Sequence, residues 1–370
     1  MNIVQLPTGL ETAGAEQVVF ELSIGLRNLG HRVDVVSLMP FPHRSALTDG
    51  LRSAGVSVHT LSVKKHTPWR LLRLRSLLNP LNPQIVHAHM FHANLASRLG
   101  GIRRSFRLVN TVHKTEMRRS KRWEHYLDHL TLRLCDTQTA VSRAVRQYHS
   151  ARMGVAPEAM PVIHNGIGPV GPLGNAEARA LRRDWGVENC SRLIGSVGRL
   201  IDEKGYDILL RMLPAIADHV PAGETWGLVI IGDGPMESTL NRLADRAPDA
   251  IKPIFPGFRE DARECIGAFD LFLMPSRSEG FGLTLVEAMA HGIPIITNAL
   301  ASLREVAEHY PQATFVNFCE ENATQVAATI AHVLDQDMGI TPMRPFTLDR
   351  MIGEYLNLYE SLIDRRREVV

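Results

Sequence analysis

"DLFLMPSRSEGFGLTLVEAMAHGIPIITN", residues 270–298, decides the class of the fold. It opens on the apolar run "DLFLMPS" and closes on "IPIITN", and "LTLVEAMA" between them carries apolar residues at helical spacing. Neither end run alternates polar with apolar, so each predicts a strand buried on both faces. Two such strands joined through a helix form a parallel unit, with the helix laid over the sheet. The turn from strand to helix carries Glu279, Gly280, Phe281 and Gly282. Glycine there lets the backbone turn tightly and come close to a ligand. A helix opening near Gly282 or Leu283 offers free N–H groups and the positive end of its dipole to an anion.

The same plan extends in both directions. Upstream, "RLIGSVG", "WGLVIIGDG" and "IKPIF" read as strands, the first two ending in glycine and followed by helices. In the first half "NIVQL" precedes a helical stretch from residue 16 to 29, and "HRVDVVSL", "VSVHTL", "QIVHAH", "RLVNTVH" and "DTQTAVS" follow as further strands. "NGIGPVGPLGN" (residues 165–175) is rich in Gly and Pro and reads as a linker. "LDRMIGEYLNLYESLI", after Thr347, reads as a last amphipathic helix. The expected architecture is α/β: two Rossmann-like, doubly wound parallel-sheet domains, 1–168 and 169–345, facing a cleft, with 346–370 crossing back to the first. In such sheets ligands bind beyond the carboxyl ends of the strands.

Composition fits a globular chain, with 45% hydrophobic and 22% charged residues. Cys135, Cys190, Cys265 and Cys319 are far apart and form no CxxC pair, which predicts reduced, buried thiols in a cytoplasmic protein. No basic stretch with a long apolar core opens the chain, which argues against a secretory signal. No apolar run reaches the ~18 residues that a membrane span needs. The net charge of +2 hides an asymmetry: residues 1–170 sum to +12 and residues 171–370 to −10. Nine Lys and Arg lie between Arg98 and Arg122 against one acid, Glu116, and Trp123 follows directly. A second basic run, Lys64 to Arg75, contains Trp69 and no acid. These runs are either solvated helix faces or a patch that docks on anionic lipid. Nucleic acid is not expected, because aromatic residues are too few for stacking.

"GRLIDEKG" (residues 198–205) follows the strand ending at Val197 and presents Arg199 and Lys204. Alone, it reads first as a solvated loop with two surface cations. Beside the helix opening after Glu279, at the same end of one sheet, it becomes a candidate diphosphate site. Charge-assisted hydrogen bonds of roughly 1.5–3 kcal/mol each and a helix terminus of roughly 0.3–1 kcal/mol could together supply about 5 kcal/mol. Directed at a leaving diphosphate, that is roughly three to four decades in rate. Glu287, in the second turn of the helix, either complements the helix dipole or accepts hydrogen bonds from vicinal hydroxyls such as a ribose offers. Glu279 could do the same for a sugar.

At these residues the chain resembles the retaining glycosyltransferases of family 4, which have the GT-B fold. "EGFGLTLVE" fits the family's Glu, seven residues, Glu signature, and "EAMAHGIPII" continues it. "GRLIDEKG" fits the Gly-Arg-Leu…Lys-Gly element, "VIHNGI" (162–167) the element closing the first domain, and "AVSRAV" (140–145) the turn before it. The resemblance implies a nucleotide-sugar donor and a retained anomeric configuration. Gly198, Arg199 and Lys204 would hold the donor diphosphate, Glu287 the ribose, and Glu279 the hydroxyls of the transferred sugar. Backbone N–H groups at Phe281, Gly282 and Leu283 would meet the distal phosphate. His113 would lie near the transferred sugar, although a strand-end histidine is in general more often structural. Gly14 belongs to a loop facing the donor phosphates or the acceptor. There the chain reads Ala13-Gly14-Ala15-Glu16 where the family has Gly-Gly-x-Glu. After "IPIITN" the usual Gly pair before a Glu is replaced by "ALASLREV", leaving Glu305 as the match. The mechanism implied is same-face attack, with the leaving phosphate helping to deprotonate the acceptor.

Three further motifs resemble sites without completing them. "HAHMFH" groups His87, His89 and His92, but no Asp, Glu or Cys set accompanies them as metal ligands. "DQD" (335–337) follows an amphipathic helix rather than a strand, so it reads as a loop and not as a metal-binding DxD. "GDGPM" (232–236) lacks the third Gly of a dinucleotide fingerprint. The expected protein is therefore a metal-independent hexosyltransferase without a cofactor. It would be cytoplasmic and peripheral on the inner face of the plasma membrane, using a UDP- or GDP-sugar and a saccharide or lipid-linked acceptor in bacterial surface polysaccharide synthesis. Two rivals share the expected fold: a nucleotide-sugar epimerase and a catalytically silent nucleotide-sugar-binding relative.

Overall fold

The structure, a computed structural model, describes residues 1–11, 14–42, 46–101, 104–115, 122–336, 339 and 341–367. The side chains of residues 122 and 365–367 are outside that description. The chain divides into two compact units, Met1–Gly168 with Phe346–Val370, and Pro169–Pro345.

The first unit is built on six parallel strands: β1 (Asn2–Pro7), β2 (Arg32–Ser37), β3 (Ser57–Thr60), β4 (Ile85–His89), β5 (Arg107–Val112) and β6 (Thr137–Ala140), in the order β3-β2-β1-β4-β5-β6. One face is apolar in the way burial on both sides requires. Val4, Leu6, Val36, Val86, Ala88 and Leu108 pack with Leu74, Leu78, Ala93 and Ala96 from the helices Leu74–Leu81 and Met90–Gly100. The opposite face departs from that rule. Gln5 of β1 is in register with His87 of β4, and Gln5, His87, His89, Thr111 and Thr139 are all fully or almost fully buried. The final helix, Leu348–Arg367, buries Tyr355 and Tyr359 completely. It packs on the helix Gly14–Asn28. At the closest point Gly25 leaves no space for a side chain beside Ile352.

The second unit repeats the order with β7 (Arg192–Val197), β8 (Trp226–Ile231), β9 (Ile251–Gly257), β10 (Leu271–Met274), β11 (Ile295–Asn298) and β12 (Ala313–Val316), arranged β12-β11-β10-β7-β8-β9. The last of these strands goes beyond the sequence reading, which finds only five in this half. Ala313–Val316 has four residues, all half-buried, on the edge of the sheet, so it carries no strong apolar run. Its core joins Ile194, Leu228, Ile230, Leu271, Leu273 and Ile296 of the sheet to helical residues such as Leu209, Leu213, Val326 and Ile330. Residues 270–298 form the expected unit: β10, the helix Leu283–His291, and β11 paired parallel to β10. The four cysteines are unpaired, but only Cys190 and Cys265 are buried, while Cys135 and Cys319 are half-buried. Among the described residues no helix is long and apolar enough to cross a membrane.

Candidate functional site

In the second unit the loops after β7, β8, β10 and β11 are tied to one another. The Gly198 N–H donates to the Ile231 carbonyl at 2.9 Å and the Leu200 N–H to that of Asp233 at 2.7 Å, joining the first two loops. Gly205 has φ +69°, and a Cβ there would fall 2.2 Å from the Pro275 carbonyl oxygen, so only glycine allows this approach of the β7 and β10 loops. Arg277 closes the same joint. Its guanidinium donates to both carboxylate oxygens of Asp207 at 2.8 Å, and its N–H donates to the Glu203 carbonyl at 2.8 Å. Asn298, ending β11, donates to the carbonyls of Pro275 and Ser276 at 3.0 and 2.9 Å and accepts from the Phe318 N–H.

This scaffold brings Lys204 and Glu279 together. Lys204 Nζ donates to Glu279 Oε1 at 2.5 Å, and the Ser276 hydroxyl donates to the same oxygen at 2.8 Å. The Ser302 hydroxyl holds the Glu279 carbonyl at 2.8 Å. Burial works against the Lys204 ammonium, but the Glu279 carboxylate outweighs it and raises the Lys204 pKa. Arg199, on the same loop, is exposed, and its guanidinium makes no hydrogen bond or ion pair with any described residue. Gly282 takes φ +87° as the N-cap of Leu283–His291 and supplies no capping side chain. The Leu285 N–H donates to the Gly282 carbonyl at 3.0 Å, so the N–H groups left to a ligand or to water are those of the first two helical residues, Leu283 and Thr284. Phe281 is buried against this turn. One cation paired to a carboxylate, one exposed cation and an uncapped helix start can together accept a polyanion.

Glu287 is buried on the same helix, and Arg263 Nε donates to its Oε1 at 3.0 Å. The sequence reading weighs a helix-dipole role against hydroxyl binding. The structure adds an ion pair that orients the carboxylate.

His113 and Gly14 belong to the other unit. Gly14 is the first residue of Gly14–Asn28, two residues earlier than the sequence suggests, and Ala13 lies outside the described residues. His113 follows β5. Its Nε2 is 3.1 Å from His89 Nδ1, and its Nδ1 is shut off from solvent without a hydrogen-bond partner among the described residues. Burial lowers its pKa from 6.5 to about 4, so the ring is neutral at physiological pH. The histidines of "HAHMFH" separate. His87 bonds to Tyr359 Oη at 2.7 Å and Thr111 Oγ1 at 2.6 Å, His89 bonds to Gln5 and His113, and His92 is exposed. Among the described residues no cluster of His, Cys, Asp or Glu is arranged to hold a metal ion. Glu305 lies within the short helix Ala301–Val306, and Asp337 is outside the described residues.

Comparison with known proteins identifies the family and the fold. The family model Glycosyltransferase Family 4 matches residues 12–169, and Glycosyl transferases group 1 matches residues 177–345. The chain belongs to these glycosyltransferases. An uncharacterized glycosyltransferase of Methanocaldococcus jannaschii is 26% identical over 93% of this chain and 93% of its own. An O-antigen biosynthesis glycosyltransferase, WclY of Escherichia coli, is 27% identical over 56% of this chain and 57% of its own. Among solved structures, Anabaena HepE in complex with UDP and glucose superposes with a TM-score of 0.79 at 19% identity, over 97% of this chain and 99% of that one. The fold is GT-B.

Several residues that shape the site of this glycosyltransferase carry no signal that spacing can reveal. Arg263 reaches Glu287 across 24 positions and Ser302 reaches Glu279 across 23. Arg277 and Ser276 lie inside the quoted stretch, and only the three-dimensional joint with Asp207 shows what Arg277 does.

Proposed function

We propose that this glycosyltransferase moves a hexose from a UDP- or GDP-sugar to a carbohydrate or lipid-linked saccharide acceptor, with retention of configuration, in the assembly of a bacterial surface polysaccharide. The observation that carries the reading is the meeting of the Lys204–Glu279 pair with the uncapped helix start at Gly282. A donor diphosphate placed there takes charge-assisted hydrogen bonds from Lys204, Arg199 and the N–H groups around Phe281, Gly282 and Leu283. Those groups stabilise the negative charge that grows on the leaving diphosphate, which is the part a metal ion plays elsewhere, so turnover needs no added metal. Glu287, oriented by Arg263, accepts from the ribose hydroxyls, and Glu279 from hydroxyls of the transferred sugar. The UDP bound to HepE favours uridine as the first base to try, and WclY favours a surface glycan as the product.

The acceptor side of the reading rests on the first unit. Of the large apolar side chains that are exposed, all those described except Phe258 lie in this unit, Trp69, Leu72, Leu99, Trp123, Tyr126 and Leu130 beside Leu29 and Met39. The helix Arg122–Thr131 is amphipathic in the reverse sense. Trp123, Tyr126 and Leu130 are 51%, 64% and 55% exposed, while its two carboxylates, Glu124 and Asp128, are buried. An outer face of aromatic and aliphatic groups without acids, in a unit with excess positive charge, suits an anionic bilayer and hence a peripheral position on the cytoplasmic leaflet. Arg118, Arg119 and Lys121 fall outside the described residues.

The donor test is a thermal-shift screen of UDP-, GDP- and ADP-sugars, followed by transfer to lipid-linked acceptors with and without EDTA. One sugar nucleotide should stabilise the protein, and transfer should persist in EDTA. Donor conversion without acceptor would indicate an epimerase, and binding without turnover on any pair a silent relative. Either result overturns the proposal.

A further inference from the structure

β12 is an edge of its sheet, with β11 as its one neighbour. Side chains alternate along a strand, so Phe315 and Val316 point to opposite faces. Val316 packs against the core that includes Val326 of the helix Ala323–Asp335. On the other face Arg304 of Ala301–Val306 lies over the Phe315 ring, 4.8 Å from its centroid. A cleft of about 390 Å³ is lined by residues from both faces, so it runs over the free edge of β12. That volume is in the range of small-ligand sites. None of the residues around it belongs to the Lys204–Glu279 site.

Several polar groups meet in the cleft. Asn322, Gln325, Val326 and Thr329 line it from one face of Ala323–Asp335 and its N-cap, at i, i+3, i+4 and i+7. The Gln325 carboxamide and the Thr314 hydroxyl make no hydrogen bond with any described residue. Asn322 Nδ2 donates to the Asn317 carbonyl at 3.3 Å and Asn317 Nδ2 to Cys319 Sγ at 3.6 Å, so the two carboxamide oxygens remain as acceptors. The strand edge adds main-chain groups. The Gln312 and Val316 carbonyls accept from the Ile295 and Ala299 N–H groups at 2.9 and 3.1 Å. Alternation turns the N–H and carbonyl of Phe315 the other way, to the open edge.

Arg304 is the one charged residue of the lining. It is exposed, and its guanidinium makes no hydrogen bond or ion pair with any described residue. A guanidinium stacked on an aromatic face presents its N–H fork at the edge of the stack, where a carboxylate can take it bidentately. One cation suits one negative charge and not a diphosphate. Glu305 and Glu308 follow Arg304 closely, and Glu320 and Glu321 precede Ala323–Asp335, with Glu320 paired to Arg211 at 3.4 Å. None of these four acids lines the cleft, but they weaken its positive field. A bound anion therefore needs the neutral polar groups as well as Arg304.

We infer that this cleft is a second saccharide site, which takes a sugar unit bearing a carboxylate, a uronate. Arg304 holds the carboxylate, while Gln325, Thr314 and the asparagine oxygens meet the ring hydroxyls. Ala299, Val316 and Val326 offer apolar surface to the C–H face of the ring. The choice of a sugar among carboxylates rests on the proposed function, whereas the place and the carboxylate do not.

The test is a saturation-transfer NMR titration of the full chain, without UDP and with UDP in excess to fill the donor site. The probes are the methyl glycosides of glucuronate, galacturonate and mannuronate, each beside its methyl ester, which lacks the charge. At least one uronate should bind roughly tenfold more tightly than its ester, the scale of one charge-assisted hydrogen bond. Arg304→Gln should erase that preference, and Gln325→Ala should weaken acid and ester alike. Both side chains are exposed, so the melting temperature should hold. Binding of no uronate, equal binding of acid and ester, or a preference that survives in Arg304→Gln overturns the proposal. So does a uronate that UDP displaces, because it then sits at the donor site. A dimer that Arg304→Gln dissociates would give the edge to a second copy and overturn it too. If a uronate binds as expected but no sugar nucleotide is bound or turned over, the cleft stands and the proposed function fails.

Discussion

Lys204 and Glu279 share an ion pair of 2.5 Å, so neither can be changed without altering the other. The sequence presents them as separate ligand contacts, 75 residues apart, and the structure couples them. Lys204→Ala should cut kcat/KM by roughly two to three decades, the loss of about 3–4 kcal/mol of charge stabilisation. Part of that loss would come from Glu279 repelling the donor diphosphate once its partner is gone. Glu279→Gln keeps a group that the Ser276 hydroxyl can bond and should cost less. The double variant should be much less impaired than the product of the single effects, because residues in one ion pair are not additive. A double-mutant cycle on kcat/KM reads this directly. Full additivity would mean that the two act independently and that the pair has no functional coupling.

At the scale of elements, the helix Arg122–Thr131 and the turn before Leu283–His291 are two ways in which a surface can depart from ordinary packing. Trp123, Tyr126 and Leu130 point outward on a helix whose acids point inward. Transfer of each apolar side chain from water into an interface is worth up to about 1.5–3 kcal/mol. The variant Trp123→Ser/Tyr126→Ser/Leu130→Ser should therefore lose at least tenfold in affinity for vesicles containing anionic phospholipid, with no fall in melting temperature. Vesicle flotation alongside light scattering checks it. Undiminished flotation would remove this face from the membrane reading, and a wild-type dimer that dissociates in the variant would assign the face to a second copy instead. How much was legible follows from the kind of force involved. Strand, glycine turn and helix in residues 270–298 are local, and the sequence yields them nearly to the residue. The inverted face of Arg122–Thr131 is not local: Asp128 is buried because Arg98, on another helix, donates to it at 2.7 Å. The strand Ala313–Val316 escapes the sequence reading for the same reason, since neighbouring β11 rather than its own composition makes it a strand.

For the molecule as a whole, buried neutral histidines set the response to acid. Burial lowers the pKa of His87, His89, His113 and His149. In each case the unfolded chain titrates near 6.5 while the folded chain resists protonation. The unfolded state therefore binds more protons as the pH falls below 6.5, and the folded state loses stability through that range. For His113 the loss ends near pH 4 and amounts to at most about 3 kcal/mol. Asp136 and Asp207, held low by arginine partners that overcome their burial, act in the same direction but only below about pH 4. Asp128 opposes the trend, because burial raises its pKa. Urea unfolding from pH 7.5 to 4.5 should thus show stability falling from about pH 6.5, before Asp136 and Asp207 titrate. His87→Gln with His89→Gln should flatten that slope, whatever it does to the value at pH 7.5. These four histidines lie in the unit formed by Met1–Gly168 and Phe346–Val370, and His291, also lowered by burial, lies in the other, so a bound nucleotide that protects the second unit should leave most of the slope in place. A flat profile above pH 5 in the wild type would mean that these rings are protonated in the folded protein and that the face of the sheet beneath Leu348–Arg367 is wet.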